Sequence, residues 1–399
     1  MAEPMPRSRV ATDLTLARLR AVEGPKLYRG NAFRVVGLPT QADRKTIRQR
    51  QRQLMPAVEA GADVDLGHDL PVGLADLRTA FDRLLNSPHA RLVDEIFWLW
   101  GDICDDCRCP PSVHHDHDEA VRAHSAALDL EANGEGLARA EQLWATASPM
   151  WGRVLRDDAC WQHVRARVVA LDERQIDPSI VDSLRERLPL SLLRPLIDLA
   201  VASTDERGWL ADRARTWPAV PQRVIDDLLE QAAGDWYEAA YAGINLAYRK
   251  INDNQLEKSA DAVYHEVLPQ LRRLDRLVPK AAHRRTAKVH DDAAIVLSNC
   301  ATQLVERFGP SAERNARKWY GSARELTTDP ETLGTIDKNI AILNQLAAGP
   351  RPPAHSSSNV GCFWTILLAL IVFGLLVWFD HGGPGGIFSM VAPYDWRIR

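Results

Sequence analysis

Six side chains that can bind a metal ion fall within a stretch of 14 residues. The segment reads GDICDDCRCPPSVHHDHDEAV, and its thiols and imidazoles are Cys104, Cys107, Cys109, His114, His115 and His117. A structural zinc site needs four nitrogen or sulfur ligands arranged as a tetrahedron. Cys104-x-x-Cys107 is a workable chelating pair, and two prolines after Cys109 can turn the chain back toward the histidines. The residue types therefore predict a metal site, and zinc is the ion that suits them.

An interpretation without metal stays open beside this one. The spacing matches no standard zinc finger, and the sequence lacks the customary second Cys-x-x-Cys. Aspartates lie among the ligands, as is typical of an acidic surface insertion. Asp105 and Asp106 also disfavour the neighbouring thiolates, so a redox role is not expected. Cys160, Cys300 and Cys362 are isolated in sequence and are predicted to be apolar or membrane cysteines.

The sequence contains no recognisable catalytic constellation. It has no GxxxxGK[ST], no GxSxG, no HExxH and no GxGxxG after a predicted strand. Neighbouring acids such as Asp157-Asp158 point to different helix faces and are ordinary surface residues. We therefore expect no enzyme and assign no catalytic residue.

Composition and charge limit the function classes further. A chain of 399 residues with 46% hydrophobic and 26% charged residues suits two or three folded units. Its net charge of -4 argues against a nucleic-acid binder. Residues 1–27 form an N-terminal segment with an amphipathic helix from Asp13 to Val22, and they lack the apolar stretch of an export signal. The N-terminal bulk is therefore expected in the cytoplasm.

The pattern of caps and apolar residues over residues 28–95 predicts a short helix followed by a helical hairpin. Asp43 is a good N-cap for a helix over Arg44–Leu54, and a further helix over Leu74–Leu85 is stopped by Asn86-Ser87-Pro88. The face of the first long helix opposite Ile47 and Leu54 is basic, and it carries Arg44, Lys45, Arg48, Arg50 and Arg52.

This segment resembles a J-domain, the module of DnaJ-type co-chaperones. The resemblance rests on Phe33 with Val36-Gly37-Leu38, and on Leu77-x-x-Ala80-Phe81-x-x-Leu84 with the Asn86-Ser87-Pro88 ending and Arg91. It implies a helical hairpin that docks on a DnaK-type chaperone, and it implies that the basic face of the first long helix is the protein-docking face. The family's His-Pro-Asp tripeptide is missing. His68-Asp69 stands in the corresponding loop, but the proline falls at position 71. We therefore expect docking without stimulation of the chaperone's ATPase.

The rest of the soluble part predicts helices nearly throughout. A Cys/His/Asp-rich loop is expected over residues 96–118, and a body of helical hairpins over residues 119–346. Trp144, Trp151 and Trp161 are predicted core anchors, with Pro149 breaking the chain between the first two. Pro269 should kink or split its helix. Two segments resemble the second helix of a tetratricopeptide repeat, but at a wider interval than tandem repeats use. A solenoid-like stack and a plain helical bundle both remain open.

The C-terminal part predicts a membrane anchor. After a Pro/Ser-rich linker over residues 347–360, residues 361–379 read GCFWTILLALIVFGLLVWF, with no charge. A helix of this length spans about 28 Å, close to the hydrocarbon thickness of a bilayer. Trp364 and Trp378 lie near its two ends, at the expected membrane interfaces. A short tail over residues 380–399 follows.

The sequence thus predicts an all-α fold: an N-terminal J-domain-like hairpin, a helical-hairpin body and one C-terminal transmembrane helix. The expected function is a membrane-tethered adaptor or co-chaperone-like interaction protein, anchored in the cell membrane with its N-terminal bulk cytoplasmic. Its partners would be membrane lipid and a protein, a DnaK-type chaperone being one candidate. The alternative is a zinc sensor or a metal-stabilised signalling module.

Overall fold

The protein is all-α in the part that the structure describes. The computed structural model describes residues 7–347 apart from 63, 69, 102–106, 135, 172, 174 and 204–206, and these residues contain no β-strand. The helices are α1 (Arg7–Val22), α2 (Ala32–Val36), α3 (Arg44–Glu59), α4 (Leu74–Asn86), α5 (Pro88–Ile96), α6 (Pro111–Asn133), α7 (Leu137–Arg156), α8 (Asp158–Ala170), α9 (Ile180–Ala202), α10 (Trp209–Arg215), α11 (Gln222–Ala232), α12 (Gly234–Asn252), α13 (Leu256–Ala262), α14 (Leu268–Leu277), α15 (Arg284–Phe308), α16 (Glu313–Leu326) and α17 (Pro330–Ala347).

The chain divides into two compact units at Ala341. The first unit holds both the predicted J-domain-like hairpin and nearly all of the helical body. The second comprises residues 342–399, of which only the first few are described. The site and all contacts below belong to the first unit.

The predicted hairpin is formed by α3 and α4, which pack on each other, and α4 also packs on α2. Buried residues of all three helices form one hydrophobic core. The Asp43 carboxylate accepts the Thr46 amide at 2.7 Å, so the predicted N-cap of α3 is confirmed. Helix α2 is followed by its C-cap Gly37, whose φ of +64° is the left-handed conformation that glycine adopts without strain. A Cβ there would lie 2.6 Å from the Leu66 carbonyl oxygen, so only glycine allows the loop after α3 to pass this close.

Helices α6 and α7 form the most extensively packed consecutive pair of the N-terminal half. Trp144 and Trp151 on α7 are fully buried, as predicted. The prediction that Pro149 breaks the chain between them is wrong, because α7 runs through this proline. Buried Trp151 donates its indole N–H to His124 of α6, with an N···N distance of 3.2 Å. The pair is thus held by aromatic packing and a buried hydrogen bond.

The later helices α12 to α16 pack mainly on one another. Between α13 and α14 the chain forms a π-helical turn, Val263–Val267. Pro269 follows this turn and cannot donate the amide that an α-helix needs at its position, so the predicted interruption is confirmed. Gly243 of α12 faces the turn, and a Cβ there would lie 2.8 Å from Val267. The missing side chain therefore allows the wider turn to approach α12.

One buried ion pair joins the helix before the cysteine segment to α8. The Arg167 guanidinium of α8 contacts the Glu95 carboxylate of α5, and both side chains are less than a tenth exposed. A buried pair of this kind holds its two helices at a defined separation. It therefore fixes α8 beside the segment that carries the cysteines.

Candidate metal centre

Four potential ligands converge from three elements of the first unit. The loop between α5 and α6 supplies Cys107 and Cys109, the first turn of α6 supplies His114, and α8 supplies His163. One ligand atom from each residue lies within 4.8 Å of the other three. These residues form a cluster that could bind a metal such as zinc.

The separations between ligand atoms approach those of a tetrahedral zinc site. With Zn–S near 2.3 Å and Zn–N near 2.0–2.1 Å, neighbouring ligand atoms of a tetrahedron are about 3.3–3.8 Å apart. The His114 Nε2 lies 3.3 Å from the Cys107 sulfur and 3.1 Å from the Cys109 sulfur. The His163 Nδ1 lies 3.5 Å from the Cys109 sulfur. The two sulfurs are 2.9 Å apart and would separate by roughly 1 Å around an ion.

Burial and charge suit a doubly charged metal ion. His114 and His163 are 3% and 2% exposed, and Cys107 is also buried. Two thiolates carry together two negative charges, which neutralise a divalent cation. Because a buried net charge is costly, a Cys₂His₂ set holds the ion below the surface at a lower cost than four neutral ligands would.

A hydrogen bond orients His114 toward the sulfurs. Its Nδ1 lies 2.7 Å from the carbonyl oxygen of Gly101. A carbonyl only accepts, so Nδ1 carries the proton and the lone pair of Nε2 faces the two thiols. Metal-binding histidines are commonly fixed in this way by a carbonyl or carboxylate behind the ring.

Trp100 holds the second histidine. Its indole lies between two imidazoles, stacked on His163 at a centroid distance of 3.9 Å and on His117 at 3.6 Å. The Asp118 carboxylate accepts the backbone amides of Trp100 at 2.7 Å and Gly101 at 2.9 Å. This carboxylate therefore ties the loop to α6 and positions the indole against His163.

The electrostatics of two of these groups follow from burial and bonding. Burial lowers the pKa of His163 to about 3, with smaller contributions from nearby His114 and His117. The imidazole is therefore neutral, which is the form that binds metals. Burial alone would raise the pKa of Asp118, but the bonds from His117 and the two backbone amides outweigh it and lower that pKa.

The predicted ligands divide into three groups. Cys107, Cys109 and His114 are in the cluster, whereas His115 is exposed on α6 and points elsewhere. His117 is buried, but its Nδ1 lies 3.1 Å from Asp118 and its Nε2 lies 3.0 Å from the Ile96 carbonyl, so neither nitrogen faces the cluster. Cys104 lies outside the described residues.

Two expectations about this segment need correction. The predicted loop over residues 96–118 ends earlier, because α6 begins at Pro111 and carries all three histidines. Pro110 and Pro111 start the helix, since a proline in the first turn needs no hydrogen-bond donor. Sequence reasoning also missed His163, whose signal was a polar ring on the buried face of α8 beside Cys160 and Val164.

The predicted docking face is partly used within the fold. Arg44 pairs with Glu173, and the Arg50 Nε donates to the Val36 carbonyl at 3.0 Å. Lys45, Arg48 and Arg52 are exposed, and no hydrogen bond or ion pair within the described part of the chain engages them.

The predicted tripeptide region and the predicted membrane anchor lie partly or wholly outside the described residues. The His68 Nδ1 accepts a hydrogen bond from the Leu70 amide at 3.2 Å, so the imidazole contacts the backbone of its own loop. Asp69 lies outside the described residues. The predicted anchor over residues 361–379, with Trp364 and Trp378, also lies outside them. Among the helices that are described, none is both long and apolar enough to span a bilayer.

Comparisons with known proteins give no match. Neither models of protein families, nor curated proteins, nor solved structures resemble this chain significantly. The J-domain resemblance and the expected chaperone partner therefore stay predictions.

Proposed function

We propose that this protein binds one structural zinc ion and is a metal-stabilised interaction module. The observation that carries the proposal is the convergence of Cys107, Cys109, His114 and His163 within 4.8 Å. Four protein ligands complete a tetrahedral zinc shell and leave no open position for water or substrate. The ion's role is therefore to hold three elements together, not to catalyse.

Zinc is favoured over other metals by the ligand set. Thiolates and imidazoles in a tetrahedron suit Zn²⁺, whereas Mg²⁺ and Ca²⁺ take oxygen ligands. The carbonyl behind His114 and the indole on His163 supply the outer contacts that keep both rings in place.

Elemental analysis of the purified full-length chain tests this proposal. We expect one equivalent of zinc in the wild type and its loss in Cys107→Ser and His163→Gln. His115→Gln is the matched control, because His115 is an exposed histidine of the same segment. Cobalt substitution should give the visible absorption of a tetrahedral thiolate site. Less than about a tenth of an equivalent of metal in the wild type would reject the proposal.

Protein docking through α3 is a second candidate function. Lys45, Arg48 and Arg52 follow one another at helical spacing over about 10 Å of helix. Neither a hydrogen bond nor an ion pair within the described residues engages them, and the electrostatic attraction of Lys45 to Asp43 acts without such a contact. Arg78 and Arg83 of neighbouring α4 are both paired with carboxylates. Three unpaired cations in one row suit an acidic surface on a partner protein, as the expected chaperone contact requires.

Binding of the full-length chain to a DnaK-type chaperone tests the docking function. Arg48→Glu should weaken binding at least tenfold, because it places like charges opposite each other. Lys258→Glu is the control, because it reverses the charge of an exposed cation on α13 and breaks no ion pair of α3. Equal binding by both variants would exclude α3 as the docking face. An ATPase assay on the same samples separates docking from stimulation, and we expect no stimulation.

The membrane tether remains part of this proposal. Residues 361–379 have the length and composition of a bilayer-spanning helix. Flotation of the full-length chain with lipid vesicles tests the tether, and deletion of residues 361–379 should abolish flotation. A monodisperse full-length chain in the supernatant without detergent would exclude it.

A further inference from the structure

The turn that leads into α3 touches the elements that carry the metal ligands. This entry turn, Pro39–Asp43, ends at the N-cap of the helix that bears the exposed row of cations. Its buried Thr40 donates its hydroxyl to the Leu99 carbonyl at 2.9 Å. Leu99 lies two residues before Gly101, whose carbonyl orients His114.

A second contact reaches the same place from α8. His163 lies on this helix, and Glu173, shortly after its end, pairs with Arg44 in the first turn of α3. The segments bearing His114 and His163 therefore reach α3 from two sides. The metal would add a direct link between these two segments, beside the Arg167–Glu95 ion pair and the stacking of Trp100 on His163.

Helix α5 supplies a contact that does not depend on the ligands. Arg91 donates to the Ala42 carbonyl of the entry turn at 2.9 Å. Burial lowers the pKa of Arg91, and its interaction with nearby Glu95 opposes that shift. This contact should keep the hairpin folded when the metal is absent, so that loss of metal loosens the start of α3 without unfolding α2 to α4.

We propose that metal occupancy controls the order of the first turn of α3, and through it the presentation of Lys45, Arg48 and Arg52. The inference rests on the proposed zinc site and adds a regulatory role to it. Without the ion, the loop before α6 and α8 lose their direct link through the ligands and keep only the Arg167–Glu95 ion pair and the stacking of Trp100 on His163. The Thr40 and Arg44 contacts then hold the start of α3 less firmly. The row of cations then begins at a frayed helix end. A partner protein that binds this row must first order the turn, and the cost of ordering lowers its affinity.

Hydrogen–deuterium exchange on the full-length chain tests the coupling. Metal-loaded and chelated protein are compared in residues 40–50, in residues 107–114, and in α15 as a distant reference. We expect chelation to speed exchange in the first two regions by about fivefold or more, the lower end of ordinary coupling between sites, and to leave α15 unchanged.

Two variants at position 40 make the test specific. Thr40→Val removes the hydroxyl that reaches Leu99, whereas Thr40→Ser keeps it. Both should retain one equivalent of metal, because Thr40 contributes no ligand atom. Exchange in residues 40–50 should respond less to chelation in Thr40→Val than in Thr40→Ser.

The outcomes separate the two proposals. Faster exchange after chelation that is confined to residues 107–114 would overturn the coupling and leave the zinc site standing. Equal responses of the two Thr40 variants would overturn the route through Leu99, and with it the coupling as proposed. Absence of stoichiometric metal in the wild type would instead overturn the zinc site itself.

Discussion

Removal of the metal should destabilise the first unit by an amount that the chain connectivity sets. Cys109 and His163 lie 54 positions apart, so an ion bound by both closes a long loop. A covalent cross-link of that span would stabilise a fold by about 4 kcal/mol through the unfolded chain alone. A metal present at about a thousand times its dissociation constant contributes a similar amount. We therefore expect a loss of about 4 kcal/mol in the free energy of unfolding.

Urea unfolding monitored by tryptophan fluorescence measures this loss. Trp100 stacks directly on His163, so its emission reports on the site. Wild type, His163→Gln and His115→Gln are each unfolded with zinc and with a chelator. With zinc, His163→Gln should be less stable than wild type by about 4 kcal/mol. With the chelator the difference should fall to the packing lost from one ring, about 1 kcal/mol.

The control and the refuting result are equally specific. His115→Gln should behave as wild type in both conditions, because its ring is exposed and outside the cluster. If zinc leaves the midpoint of wild type unchanged, or if it stabilises His163→Gln as much as wild type, the ion does not bridge the loop and α8. The reasoning from loop closure would then be refuted.

Three further predictions concern the surrounding fold. Burial lowers the pKa of His124 to about 3, so the unfolded chain takes up a proton below about pH 6.5 that the folded chain does not. The free energy of unfolding should therefore fall as pH drops from about 6.5 toward 3, by up to about 1.4 kcal/mol per pH unit. A matched pH series on His124→Phe should lack this part of the pH dependence. Gly37→Ala should lower the free energy of unfolding by about 2–3 kcal/mol, and Gly61→Ala should lower it by about 1 kcal/mol. Both glycines have positive φ, but of the two only Gly37 faces a backbone atom. Thermal unfolding of the two variants measures the difference. Arg167→Met should cost about 3–5 kcal/mol by leaving Glu95 without this guanidinium, and the double variant with Glu95→Gln should regain part of the loss in urea unfolding.

Local signals made much of the fold predictable. The side-chain cap at Asp43, the stop at Pro88 and the interruption near Pro269 each depend on one or two residues, and the structure has all three. The failure at Pro149 has the opposite cause. A proline costs an internal helix bond, but the packing of Trp144 and Trp151 on α6 outweighs a local preference of about 3 kcal/mol.

The metal site was only partly predictable, for a related reason. Cys107, Cys109 and His114 lie within eight residues, and their types alone indicate chelation. His163 is one imidazole on a distant helix, where a buried core histidine gives the same sequence pattern. Which of the clustered histidines bind the metal also depends on the direction in which each side chain points around the helix axis. His114 faces α8 while His115 faces solvent, and this could not be derived while the segment was expected to be a loop.

The separation of the ligands along the chain sets an order of events during synthesis. A ribosome adds His163 roughly 3–10 s after Cys109, at about 5–20 residues per second. During that interval the nascent chain offers only the early ligands, an incomplete shell from which an ion exchanges readily. Tight uptake must wait until α8 has emerged and docked. In the zinc-bound protein proposed here, metal capture would therefore mark the moment when the N-terminal half of the chain has assembled.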